Sequence, residues 1–149
     1  MPFIFTSDYQ DYINKTFSEK TYVLQGGTLD GIQPTFNGTP LFSGSYTESV
    51  GLVHFRINVL MTNITSFGTG QYYVTLPKNS KYDMYVRNGH LKHSSGDTYA
   101  ISGNILAGTN ILKLTTTASN AKEVSFTHNV PVNLDTNCDF HIFGSYFSA

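Results

Sequence analysis

Cysteine is almost missing: Cys138 is the only one in 149 residues. An internal disulfide and any cysteine-rich metal cluster are therefore excluded. Tryptophan is absent, and only 13% of residues are charged, nine Lys and Arg against ten Asp and Glu. A net charge of -1 offers no basic excess to displace counterions from a phosphate backbone, so no nucleic-acid partner is expected. The same low self-repulsion suits a protein packed against copies of itself. No run approaches the roughly 18 apolar residues of a spanning helix, so membrane insertion is not expected. The opening MPFIFTSD lacks a basic stretch and breaks its apolar run at once, unlike a secretory signal. Synthesis in a cytoplasm follows, and the sequons at Asn14, Asn37 and Asn63 are read as incidental to an Asn- and Thr-rich chain.

The length fits one domain, which at this size buries roughly 70% of the surface its unfolded chain exposes. Residues 1–20 stand apart as an arm. Ser7 with Gln10 three residues later fits a capping box, and Tyr9, Tyr12, Ile13 and Thr16 follow at helical spacing. A short helix is expected there, with Phe3 and Phe5 ahead of it. An arm this apolar needs a surface to lie on.

Residues 21–149 read as β throughout. Val53, Phe55, Ile57, Val59 and Met61 alternate with polar or outward positions, as do Tyr72, Val74 and Leu76. Asn88-Gly89 is the preferred type I′ dipeptide, which predicts a hairpin turn between 83–87 and 90–93. Ser95-Gly96-Asp97 marks another turn, with strands at 99–106 and 110–116. The last strand, 140–147, carries apolar residues on both faces, so cover on both is expected. Strands about ten residues apart with Gly-, Asn- and Ser-rich turns predict an all-β protein. Its expected form is a jelly-roll-like antiparallel β-sandwich of about eight strands.

The chemistry-bearing residues are few. On a strand, His90 and His93 point to opposite faces, and no cysteine or paired acid lies near them in sequence, so a solvated hairpin is expected rather than a metal site. His54 and His141 read as surface or interface positions. Asp135 and Asp139 flank a loop with oxygen ligands suited to loose calcium binding, yet a capped turn before the last strand is favoured. Cys138 with His141 three residues on is a weak catalytic signal without a third, orienting group. No nucleophile elbow, P-loop or dinucleotide fingerprint occurs, so neither an enzyme nor a cofactor is expected. Ten tyrosines exceed what a core needs, and their polar tips suit interfaces and sugar recognition. Tyr82 and Tyr85, with His90 and His93, are expected on exposed loops able to bind a ligand.

The segment 34–77 carries a more specific pattern. Asn37-Gly38-Thr39 leads into LFSGSY at 41–46, then GLVHFRI at 51–57, TSFGTGQY at 65–72, and Leu76-Pro77. This order of a G-x-Y strand, a V-x-F-x-I strand, an F-G-x-G turn and an L-P strand end resembles the β-sandwich domain of tailed-bacteriophage tail, fibre and minor structural proteins. The closing FHIFGSY at 140–146 is similar to that family's final strand. The resemblance covers 21–149 and implies a homotrimeric, non-enzymatic module resident on the virion, with loops that meet a host surface glycan or receptor. In that reading the arm docks on other virion proteins through Phe3, Phe5, Tyr9 and Ile13. The domain commonly ends a much longer protein, so either a small virion protein or a fragment is expected. A capsid decoration, cement or head-spike protein is the second reading. A glycan-active enzyme using two facing carboxylates, with Asp83 and Asp97 as those to test, is a distant third.

Overall fold

Two strands near the beginning of the domain dictate its shape. In this computed structural model, residues 18–118 and 120–149 are described. The expected N-terminal helix and Phe3, Phe5, Tyr9 and Ile13 lie outside the described residues. The first strands are β1 (Lys20–Tyr22), β2 (Gly26–Thr28), β3 (Thr35–Phe36), β4 (Leu41–Ser49), β5 (Leu52–Leu60) and β6 (Ile64–Ser66). There follow β7 (Tyr72–Thr75), β8 (Met84–Lys92), β9 (Thr98–Ile105), β10 (Ile111–Thr117), β11 (Glu123–Ser125) and β12 (Asp139–Phe147). Every pairing is antiparallel, in the order β1-β4-β5-β12-β8-β9-β10-β7-β2, with β11 beside β10 and a separate β3-β6 pair.

Laid flat, eight inter-strand steps would hold β1 and β2 about 38 Å apart. Only Val23, Leu24 and Gln25 join them, and that link reaches at most about 14 Å. The sheet must therefore curl, and it forms a half-barrel with a sandwich-like interior. The curl brings β1 and its link onto β7, the neighbour of β2: the Tyr22 hydroxyl donates to the Thr75 carbonyl at 2.9 Å and the Gln25 N–H donates to Thr75 Oγ1 at 2.9 Å. The all-β, antiparallel, sandwich-like class expected from the sequence is the one observed. Among the described residues no helix is long and apolar enough to cross a membrane.

The interior follows the period-2 pattern. Val53, Phe55, Ile57 and Val59 of β5 are buried while His54 and Arg56 face out. Phe140, Ile142 and Tyr146 of β12 join them, with Leu112 and Leu114 of β10 and Val74 and Leu76 from the β7 segment. Phe126 sits in this core edge-on to both Tyr72 and Phe140, with centroids 5.3 and 5.7 Å away. Tyr146 is fully buried and satisfies its hydroxyl on the Lys78 backbone, donating to the carbonyl at 2.8 Å and accepting from the N–H at 3.1 Å.

Two expectations are corrected. Asn88-Gly89 is not a hairpin turn: β8 continues through it, and the hairpin to β9 turns at 93–97. The expected cover on both faces of the last strand is not present within the described chain, where Phe143 is 52% and Phe147 45% exposed. The type I′ geometry instead falls on Val50-Gly51, the two-residue link of the β4–β5 hairpin, where φ is 52° and 78°.

Candidate functional site

The Asn88-Gly89 segment of β8 builds the most distinctive surface of the molecule. Along β9 the register steps from Val86↔Gly103 to Gly89↔Ile101, so Arg87 and Asn88 oppose Ser102 alone. Such a bulge puts one extra residue in a strand, bends it and re-aims its side chains. Without it Val86 and Leu91, five residues apart, would fall on opposite faces; with it both are buried, and Arg87 and Asn88 both point outward. Gly89 occupies the tight side of the bulge, where a Cβ would stand 2.6 Å from the Ile101 carbonyl and 3.1 Å from the His141 carbonyl. Only glycine fits between β9 and β12 at that point.

On its other side β8 pairs with β12 from Lys92↔Asp139 to Asn88↔Phe143, and there the ladder stops although both strands run on. Past the bulge the two strands part, leaving a cleft of about 720 Å³. A volume of that order suits a small-molecule or glycan site. Phe55, Val86 and Gly144 are at its floor. The register Ser45↔Arg56↔Phe143↔Asn88 aligns one row of side chains across four strands, β4, β5, β12 and β8. Tyr85, 67% exposed, flanks the row. His54 is held in the cleft by a 2.5 Å hydrogen bond between its Nδ1 and Ser145 Oγ. Arg56 and Arg87 are the only arginines of the chain, and both line this cleft. Among the described residues neither is in an ion pair.

The sequence-predicted binding residues are dispersed. Tyr82 lies in the loop before β8, half exposed and edge-on to Phe147 with centroids 6.1 Å apart. Tyr85 and His90 are on strand β8 itself, not on loops. Of the four, only Tyr85 enters the cleft. His90 stacks on His141, with centroids 5.3 Å apart, and the Nε2 of that partner pairs with Asp139 Oδ1 at 3.3 Å. His93 begins the hairpin and meets the loop before β12: its Nε2 donates to the Asn133 carbonyl at 2.9 Å and lies 3.7 Å from Asp135 Oδ2. Cys138 faces that same carboxylate, not His141. Asp135 makes the expected capped turn by accepting from the Asn137 N–H at 2.8 Å. Ser94, chiefly, and then that N–H hold its carboxyl below the usual range. Asp83 and Asp97 lie beyond opposite ends of β8, roughly 30 Å apart at strand rise, far outside the spacing of a glycosidase pair.

Arg56 and Arg87 were not singled out from the sequence, and Asn88 only as part of a turn. The signal available was the pair of arginines in a chain that has no others. Compared with known protein families, curated proteins and solved structures, the chain has no match.

Proposed function

We propose that this protein is a bacteriophage virion module that binds the host surface, and that the cleft between β8 and β12 takes an acidic glycan. The virion context rests on the motifs at 34–77 and 140–146. The observation that carries the binding reading is the convergence of both arginines with Tyr85 and Phe143 in one open cleft. Guanidinium groups bind carboxylate or phosphate bidentately. Exposed aromatic rings offer flat faces to the apolar side of a sugar, and where the β8–β12 ladder has ended, backbone groups are in place to meet sugar hydroxyls. In this reading the module works as a homotrimer on the particle, and the exposed apolar side chains of the outer face, Leu41, Leu60 and Phe147, favour a neighbouring subunit.

The test is calorimetric titration of the full chain with an acidic and a neutral host-type polysaccharide, beside light scattering for mass. Binding of the acidic polymer alone, weakened by salt and removed in Arg56→Ala/Arg87→Ala, is expected, together with a mass near three times 16.5 kDa. Equal binding of the neutral polymer, or retention in the double variant, refutes the acidic-glycan reading. A second reading is a shell decoration protein, favoured by that same exposed apolar face. It predicts high copy number on stained gels of particles and no inhibition of adsorption by free protein.

A further inference from the structure

At the far end of β8 from the cleft, three side chains of different ligand chemistry converge. The ligand atoms of His93, Asp135 and Cys138 all lie within 4.8 Å of one another. Sγ of Cys138 is 3.6 Å from Asp135 Oδ1, and Nε2 of His93 is 3.7 Å from Asp135 Oδ2. Tetrahedral coordination with bonds of 2.0–2.3 Å separates neighbouring ligand atoms by about 3.3–3.7 Å; Cys138 and His93 each stand at that spacing from one of the two Asp135 oxygens, and the set, within 4.8 Å, has to draw in only slightly to close on one ion. The Asn133 carbonyl, 2.9 Å from Nε2, supplies a fourth donor on the same side. We propose that His93, Asp135 and Cys138, with the Asn133 carbonyl, form a zinc site that ties the β8–β9 hairpin to the loop ahead of β12.

The ion follows from the donor set. One thiolate, one imidazole and one carboxylate are borderline-soft ligands that suit Zn(II) and disfavour calcium or magnesium, which take oxygen. The outer shell is in place as well. Nδ1 of His93 is 2.9 Å from Ser95 Oγ, which in turn donates to Asp97 Oδ2 at 3.0 Å. In the metal-free form Nε2 donates to Asn133 and Nδ1 accepts from the Ser95 N–H at 3.2 Å; when metal takes Nε2 the proton passes to Nδ1, where Ser95 Oγ is placed to accept it. The Ser94 hydroxyl donates to Asp135 and orients it. Cys138 is buried, whereas the Asp135 side chain is 44% exposed, so the ion has a route from solvent and a dry thiolate behind it. The proton balance is simple: the thiol proton leaves to water, and the imidazole proton moves from Nε2 to Nδ1.

Cobalt(II) and zinc(II) salts, added to the chelator-washed full chain, test this directly. One cobalt per chain is expected, with a thiolate-to-cobalt charge-transfer band that His93→Gln and Cys138→Ser each remove. Equimolar zinc should raise Tm by several degrees over the same protein in chelator for the native chain, and by nothing in either variant. X-ray absorption of the zinc-loaded native chain, which needs no variant, should find one sulfur near 2.3 Å and nitrogen or oxygen near 2.0–2.2 Å. A zinc shell without sulfur, no cobalt band at equimolar metal, or a band that survives His93→Gln overturns the assignment. Loss of polysaccharide binding in the Arg56→Ala/Arg87→Ala variant leaves these readouts unchanged, so the two proposals fail separately.

Discussion

Val50 sits at the first central position of the β4–β5 hairpin with φ of 52°, wholly exposed to solvent. A β-branched residue is a poor occupant of the left-handed region, because its Cβ crowds the following carbonyl, at about 1–2 kcal/mol per residue. Asparagine tolerates that region, and Asn-Gly is the preferred type I′ pair. With the side chain 100% exposed, Val50→Asn removes no buried contact, so the relief is uncompensated by lost packing. We expect stabilisation of about 1 kcal/mol, or roughly 2–4 °C in Tm for a chain of this length. Urea unfolding should show a higher midpoint with an unchanged slope. Val50→Thr, equally branched, is the control and should gain nothing. An unchanged or lower midpoint for Val50→Asn, or an equal gain for Val50→Thr, refutes the account of strain at this turn.

Four further outcomes follow from the core and the bulge. Tyr146→Phe removes two hydrogen bonds to the Lys78 backbone and should destabilise by about 1–3 kcal/mol, read as a lower urea midpoint. Burial pushes the Tyr146 phenol up to about 12 and raises those of Tyr22 and Tyr72. Since the unfolded chain then loses protons first, stability present below pH 10 should fall as pH rises through the folded values. Tyrosinate absorbance should accordingly show a late step coincident with loss of β-sheet circular dichroism. Gly89→Ala must move the Ile101 carbonyl from 2.6 Å and should cost about 1–3 kcal/mol. Its proton–nitrogen spectrum should change around Arg87, Asn88 and Phe143, whereas Phe143→Ala, at an exposed position, should leave stability within about 0.5 kcal/mol.

Alternation alone determined the all-β class and most of the core. Along β5, side chains two apart share a face, so Val53, Phe55, Ile57 and Val59 identify an interior before any partner strand is known; along β12 both faces carry apolar residues, and only the pairing with β5 shows Phe140 and Ile142 to be inside. Turn chemistry was less faithful. Asn88-Gly89 carries the stronger local hairpin signal, yet β8 continues through it because the strand is paired on both sides there, to Ile101 and to Ile142. Two ladders outweigh one dipeptide preference, and the glycine serves close packing instead. Val50-Gly51 turns with a weaker local preference because nine register pairs of β4 and β5 leave just two residues for the link.

The sites are tertiary in origin. The placing of β12 between β5 and β8 brings Phe143 beside Arg56 and Asn88, and the bulge then parts the strands into a cleft. The meeting of His93 with Asp135 and Cys138 spans a loop whose Asn133 is 40 residues from the histidine. Periodicity reports which face a side chain takes on its own strand, because that depends on neighbours one and two positions away. Which strand lies alongside is set by the closure of the whole sheet, a long-range contact with no local imprint.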